Sequence, residues 1–79
     1  MVTVSFTKHA RDMLIERKFT EEQIVSIIGN PDWKEEKEGD VWHAFKRFKN
    51  KVLRVVINGK EEPYTVITMF YDKRLRSRK

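Results

Sequence analysis

The feature that most constrains the fold is a change of hydrophobic pattern at Pro31. Before this proline the sequence carries the signals that begin and end helices, and after it apolar and polar residues alternate in short runs. Alternation at every second residue is typical of half-buried β-strands, whereas an apolar period of about 3.6 residues is typical of helices. The pattern therefore predicts helices in the first part of the chain and strands in the rest.

A short strand and a first helix are predicted at the start of the chain. Apolar and polar side chains alternate over residues 2–6, which indicates a half-buried strand. Thr7 can cap the helix that follows, because its hydroxyl can accept a hydrogen bond from a free backbone amide of the first turn. This helix is predicted over residues 8–18.

A second helix is predicted from a capping box. Thr20 and Gln23 are spaced so that the side chain of each satisfies a free backbone amide of the other. The apolar residues on the buried side of this helix are predicted to be Ile24, Ile27 and Ile28. The helix should end at residues 29–31, Gly-Asn-Pro, because glycine tolerates the left-handed cap and proline cannot extend a helix.

Strands are predicted for the remainder of the chain, over residues 33–38, 41–48, 52–57 and 64–71. The first of them is polar, as edge strands often are, and in the last one alternation would place Val66, Thr68 and Phe70 on one face. The element order β-α-α-β-β-β-β predicts an α+β fold, in which two N-terminal helices pack on one antiparallel sheet.

The length and the residue types bound the class of protein. The 79 residues allow one domain, predicted over residues 1–72, followed by a basic C-terminal tail over residues 73–79. Because the chain has no cysteine, a disulfide scaffold, a thiolate zinc site and a cysteine nucleophile are excluded. No apolar run suits a membrane span and the N-terminus does not fit a signal peptide, so a cytoplasmic protein without a membrane partner is expected.

The basic charge is concentrated in two parts of the chain. The formal net charge is +5, yet residues 32–40 contain five acidic residues and two lysines. Residues 41–60 contain six basic residues and no acidic one, and the tail is basic again. This asymmetry favours a polyanion such as RNA or an acidic protein as the partner, with solubility alone as the alternative explanation.

Few catalytic chemistries fit the residues present. His9 and His43 lack the spacing of metal ligands, and no hydrolase or phosphate-loop motif occurs, so neither a metal nor a cofactor is expected. Metal-free RNA cleavage needs a base, an acid and cations, which histidine, tyrosine and arginine can supply. The candidates for such a site are His9, Arg11, Arg17, His43, Arg47, Arg54, Thr68 and Tyr71.

Arg54 is the strongest candidate from the residues alone. It lies in a valine-rich predicted strand, and a half-buried guanidinium costs free energy unless it is paired or used. Trp33 and Trp42, in contrast, are expected to cover the edges of the sheet rather than to stack on bases.

Several motifs occur in an order that resembles a known group of proteins. They are Thr7-Lys8-His9-Ala10-Arg11, Glu16-Arg17, Leu53-Arg54-Val55-Val56 and Val66-Ile67-Thr68-x-x-Tyr71. Over residues 5–72 this pattern resembles a family of short bacterial and archaeal domains of unknown function that is similar to the RelE/ParE/BrnT toxin superfamily. The resemblance implies two helices on a curved, four- to five-stranded antiparallel sheet. It also implies, for many members, ribonuclease activity that an antitoxin encoded alongside neutralises.

The leading hypothesis from the sequence is a RelE-like toxin domain that cleaves RNA without a metal ion. In it, Arg54 and Arg47 hold the scissile phosphate, His9 acts as acid or base, and Tyr71 carries a proton. The residues expected to contact RNA or its phosphates are Arg11, Arg17, His43, Lys46, Thr68, Arg74 and Arg76. The expected partners are RNA, with ribosome-bound mRNA as one candidate, and an acidic antitoxin protein.

Two other functions are compatible with the same residues. One is a nucleic-acid-binding module without catalysis, which would use the basic strands and the C-terminal tail to bind phosphates. The other is a protein-interaction domain whose basic face is covered by an acidic antitoxin segment, or a gyrase-directed poison of the ParE type. Activity on RNA separates the leading hypothesis from both.

Overall fold

The computed structural model describes residues 2–73, so that Arg74 and Arg76 of the predicted RNA contacts lie outside the described residues. The helices and strands are β1 (Val4–Phe6), α1 (Lys8–Arg17), α2 (Glu21–Gly29), β2 (Trp33–Glu36), β3 (Val41–Phe48), β4 (Lys51–Asn58) and β5 (Tyr64–Tyr71). The type and order of the predicted elements are confirmed, and β3 and β5 have the predicted bounds. The strand β2 is two residues shorter than predicted, and β4 is one residue longer at each end.

The five strands form one sheet in the order β1-β5-β4-β3-β2. Neighbouring strands from β2 to β5 are antiparallel, whereas β1 runs parallel to β5. The predicted α+β architecture is confirmed, and the sheet is mixed rather than wholly antiparallel. Alternation in the sequence reports which side chains share a face, but it carries no information on the direction of a distant neighbouring strand.

Side-chain caps begin both helices. The Thr7 hydroxyl accepts a hydrogen bond from the backbone amide of Ala10 at 3.0 Å, and α1 ends at Lys18 in the left-handed conformation. In the confirmed capping box, the Thr20 hydroxyl accepts from the Gln23 amide at 3.1 Å, and the Gln23 side chain accepts from the Thr20 amide at 2.8 Å. These bonds satisfy amides that the first turn of a helix leaves without partners.

The helices pack on one face of the sheet, which we call the helix-covered face. Its buried strand residues are Ala44, Leu53, Val55, Ile57, Val66 and Met69. The helices contribute Ala10, Leu14, Ile24, Ile27 and Ile28, so the predicted apolar side of α2 is confirmed. Burial of these aliphatic side chains supplies the main free energy that holds the helices to the sheet.

The opposite face, which we call the helix-free face, carries a different set of side chains. Its members on β2 to β5 include Trp33, Glu35, His43, Phe45, Arg47, Val52, Arg54, Val56, Thr68 and Phe70. Two of them, Phe45 and Val52, are 0% and 1% exposed, although the helices pack on the other side. The sheet therefore has buried side chains on both faces, and on this one they alternate with polar groups.

Candidate functional site

Strand register arranges the side chains of the helix-free face in rows that cross the sheet. One row, the histidine row, consists of Glu35, His43, Val56 and Thr68. The adjacent row, the stacked row, consists of Trp33, Phe45, Arg54 and Phe70. Because neighbouring strands lie about 4.8 Å apart, side chains within a row are close enough to contact one another.

His9 joins the histidine row from the start of α1. The short strand β1 pairs only with the first part of β5. The residue after β1, Thr7, then bonds to the next part of the same edge of β5. There the Thr7 amide donates to the carbonyl of Val66 at 3.1 Å, and the Thr7 hydroxyl donates to the carbonyl of Ile67 at 3.1 Å. These bonds fix the first turn of α1 beside β5 and place His9 Nε2 3.0 Å from Thr68 Oγ1.

His43 is held by an arginine of the neighbouring row. Arg54 Nη1 lies 3.3 Å from His43 Nδ1, and because a guanidinium is always protonated, Arg54 is the donor. The neutral imidazole therefore carries its proton on Nε2. Burial lowers the pKa of His43 below its usual value, and the charges of Arg54 and Lys37 lower it further, against a smaller opposing effect of Glu35. At neutral pH, His43 is thus an uncharged hydrogen-bond donor.

Arg54 is paired inside the fold. Its Nη2 atom lies 2.7 Å from Asp72 Oδ2, and the two side chains are only 14% and 3% exposed. The guanidinium carbon also lies 4.8 Å from the centroid of the Phe45 ring. A buried ion pair of this kind compensates the charge of the arginine, so that little of it acts on the solvent.

Arg47 differs from Arg54 in being exposed. Its guanidinium lies 4.7 Å from the centroid of the Trp33 ring, and it forms no ion pair with any residue that the structure describes. Its backbone amide donates to Asp32 Oδ2 at 2.7 Å, and this bond is the main reason that the pKa of Asp32 is lowered. The charge of Arg47 therefore remains available to an anion.

A profile for a domain of unknown function, DUF4258, matches residues 6–71. The chain belongs to the DUF4258 family. This agrees with the expectation of an uncharacterised domain family, and the match spans both helices, His9 and the two rows. No curated protein and no solved structure matches the chain. Asp72, the partner of Arg54, immediately follows the DUF4258 match.

Two predicted site residues of the DUF4258 domain lie on the helix-covered face. Tyr71 is opposite Leu53 in the register and packs against Phe19, with ring centroids 6.2 Å apart. Lys46 is also opposite Leu53, and its ammonium group lies 3.7 Å from Asp32 Oδ1. Phe70 is the register partner of Arg54, and neighbouring residues of a strand point to opposite faces, so Tyr71 and Arg54 lie on opposite faces of the sheet.

The two remaining predicted contacts lie on α1, away from both rows. Arg11 forms an exposed ion pair with Glu21 at 3.0 Å. Arg17 is half-buried in the last turn, and its Nε atom has no hydrogen-bond partner among residues 2–73. Among residues 2–73, neither arginine side chain forms a hydrogen bond with a residue of the histidine row.

The two tryptophans cover the sheet in different ways. Trp33 lies flat on Phe45, with ring centroids 4.7 Å apart and an angle of 5° between the planes. Trp42 lies on the other face, where it donates a hydrogen bond to the Gly59 carbonyl at 2.8 Å and meets Tyr64 edge-on. Trp42 and Tyr64 line a cavity of about 610 Å³ beside the end of α2. Trp33 also contributes to its wall, and none of the predicted catalytic residues does.

Two absences complete the description of residues 2–73. No group of three or more histidine, aspartate or glutamate side chains in this part of the chain is arranged to hold a metal ion. Neither α1 nor α2 has the length and apolar character that a helix needs to cross a membrane.

Sequence reasoning missed Asp72 as part of this arrangement. It assigned Asp72 only to the last position of the domain, and a single acidic residue before a basic tail gives no sign that it is buried. The expectation that Arg54 is either paired or used did indicate that a partner should be sought.

Proposed function

We propose that this DUF4258 domain is a RelE-like toxin domain that cleaves RNA without a metal ion and is neutralised by an acidic antitoxin. One observation supports this most: two contacting pairs of side chains from four separate elements lie on the helix-free face, with Val56 between the pairs. They are His9 of α1, His43 of β3, Arg54 of β4 and Thr68 of β5. This face supplies a base at His9, a hydrogen-bond donor at His43 and an exposed cation at Arg47, which are kinds of group that metal-free cleavage of RNA uses.

His9 is the residue suited to proton transfer. Its ring is exposed, and the hydrogen bond to Thr68 orients it without burying it. As the base, His9 takes the proton of a ribose 2′-hydroxyl, whose oxygen then attacks the adjacent phosphorus. The bond to the 5′-oxygen breaks, that oxygen takes a proton from solvent water, and the protonated His9 returns its proton to solvent. Thr68 acts through His9 and is therefore a positioning residue.

The roles proposed for the arginines follow from their burial. Arg54 holds His43 in the tautomer whose Nε2 donates, so it acts on the phosphate through His43. Arg47 is exposed and unpaired within the described chain, so it is better placed than Arg54 to bind a phosphate directly. This assignment modifies the hypothesis from the sequence, in which both arginines hold the scissile phosphate.

Cleavage of a single-stranded RNA by the purified chain in the presence of EDTA tests the proposal. The wild-type chain should release fragments that end in a 2′,3′-cyclic phosphate, and His9→Ala should slow the reaction by about 10²–10⁴-fold, the usual contribution of general acid–base catalysis. Ile15→Ala is a matched control, because Ile15 is 78% exposed on the same helix. Cleavage by His9→Ala at the wild-type rate would contradict the assignment.

A second candidate function is RNA binding without cleavage. It is favoured by the pairing of Arg54 with Asp72, since a compensated guanidinium contributes little to a charged transition state. In that case the wild-type chain would bind RNA with a strong dependence on salt, and neither it nor His9→Ala would release fragments.

Expression in a bacterial host separates the third possibility, a protein target such as gyrase. Growth arrest with loss of RNA, relieved by His9→Ala, supports the nuclease. Growth arrest with intact RNA would support the protein target instead.

A further inference from the structure

The planar side chains of the stacked row form a continuous ladder across four strands. The Trp33 and Phe45 rings are 4.7 Å apart, the Arg54 guanidinium lies 4.8 Å from the Phe45 centroid, and it lies 6.0 Å from the Phe70 centroid. The ladder arises because these residues are direct partners in the strand register. The Arg47 guanidinium adds a further planar group, 4.7 Å from the Trp33 ring.

The middle of the ladder is closed and its β2 end is accessible. Phe45 is 0% exposed, and Arg54 is held by Asp72 and His43. Trp33 is only half-buried and Arg47 is exposed. An added planar group could therefore extend the ladder at Trp33 and Arg47, while the middle offers no comparable surface.

The carboxylates beside this end of the ladder are already engaged. Asp32 accepts the Arg47 backbone amide and lies 3.7 Å from the Lys46 ammonium group, and Glu35 accepts a hydrogen bond from Lys37 at 3.0 Å. Their charges are thereby partly compensated, which reduces their repulsion of an anion. The Arg47 guanidinium forms no ion pair with a described residue, and its charge acts on Asp32 only from a longer distance.

We propose that Trp33 and Arg47 form a stacking site for a base of single-stranded RNA. Bases of a single strand expose faces that stack on aromatic rings and guanidinium planes, whereas bases in a duplex are already stacked on each other. The ladder lies two residues, about 7 Å, along the strands from the histidine row. A base on Trp33 therefore leaves the next nucleotide over Glu35 and His43, the part of the histidine row on β2 and β3, and His9 lies two strands farther across the sheet beside Thr68. The inference rests on the part of the proposed function that makes RNA the ligand, and it does not require that the chain cleaves RNA.

The test uses a single-stranded, 2′-O-methylated oligonucleotide, which cannot be cleaved through its 2′-oxygens, and an abasic oligonucleotide with the same backbone. Trp33→Leu keeps an apolar cover over Phe45 and removes the indole. It should weaken binding of the first oligonucleotide by about 5- to 100-fold, the usual loss for one stacked base, and leave binding of the abasic one unchanged. Trp42→Phe is the matched control, since Trp42 lies on the other face, and it should bind both as the wild type does.

Arg47→Lys gives a second test that does not depend on the cover over Phe45. This substitution keeps the positive charge and removes the planar guanidinium group. The salt dependence of binding should therefore remain, while the difference in affinity between the base-containing and the abasic oligonucleotide should become smaller. A correctly folded Trp33→Leu protein that binds both oligonucleotides as the wild type does would overturn the inference. Equal losses for the two oligonucleotides would also overturn it. Failure of the proposed function gives a different result. The wild-type chain would then not cleave RNA, but it would still bind the base-containing oligonucleotide more tightly than the abasic one.

Discussion

Both faces of the sheet carry buried side chains, but these side chains differ in their chemistry between the two faces. On the helix-covered face, Val55 and Ile57 pack under two helices among other aliphatic groups. On the helix-free face, Phe45 and Val52 are equally buried, yet their neighbours include His43 and the Arg54–Asp72 ion pair. Aliphatic burial is non-directional, whereas rings, guanidinium groups and carboxylates must meet in fixed orientations.

The comparison teaches where this fold can carry chemistry. The part of the sheet that lies under the helices is filled by aliphatic side chains, and the cavity on this side lies beyond the end of α2 and contains none of the predicted catalytic residues. A face whose buried groups are planar or charged keeps donors and cations in place without a covering helix, and its rim stays accessible at His9, Arg47 and Trp33. Preorganised groups of this kind are what binding and catalysis require.

The largest expected effect is on stability and comes from breaking the ion pair of the helix-free face. Arg54→Ala leaves the Asp72 carboxylate without its guanidinium in a site where that side chain is 3% exposed, which should cost about 3–5 kcal/mol in the free energy of unfolding. The measurement is urea unfolding of the variant beside the wild type. The double variant Arg54→Met, Asp72→Leu should recover most of the loss, because apolar replacement of a buried pair is often neutral. A fully stable Arg54→Ala protein would show that the pair does not hold this face together.

A smaller effect is expected from pH. The pKa of His43 is lowered in the folded state, so below the unfolded value of 6.5 the unfolded chain takes up this proton more readily than the folded chain. The contribution of His43 to stability therefore falls as the pH falls from 6.5 towards the lowered pKa, by at most about 1.4 kcal/mol per pH unit. His43→Gln should remove this part of the slope. Urea unfolding at pH 7.5 and pH 5.5 measures it, and an unchanged slope would contradict the burial assigned to His43.

The smallest effect is expected at the rim. Arg47 is exposed and unpaired within the described chain, so Arg47→Ala should change the free energy of unfolding by no more than about 0.5 kcal/mol. It should nevertheless weaken RNA binding and reduce its dependence on salt, because one phosphate contact is lost. Thermal unfolding and a binding titration at two salt concentrations check both parts. A large loss of stability would place Arg47 with Arg54 as a structural residue.

Local signals in the sequence were enough to predict the secondary structure. The caps at Thr7 and Thr20 and the strand bounds of β3 and β5 could be predicted, because they depend on residues close together in the chain. The parallel pairing of β1 with β5 could not be predicted, since it joins residues about 60 positions apart.

The candidate site was predictable in its residue types and not in its geometry. In β5, simple alternation groups Val66 with Thr68, but the register shifts between their partners on β4, and Ile67 forms a bulge. The bulge places Val66 on the helix-covered face and Thr68 on the helix-free face. Tyr71 faces away from Arg54 because it follows Phe70, the register partner of Arg54, by one residue. The contact of His9 with Thr68 and the burial of Asp72 depend on the same long-range register.

The most direct test of the central claim is a titration of the isotopically labelled chain with the uncleavable single-stranded oligonucleotide, followed by amide chemical shifts in NMR spectra. The account predicts that the shifts concentrate on the helix-free face and its rim, at His9, His43, Arg47 and Thr68, and that amides of α2 and of Trp42 stay nearly unchanged. Shifts confined to α2, Trp42 and Tyr64 would contradict it, and would place RNA binding on the helix-covered side of the sheet.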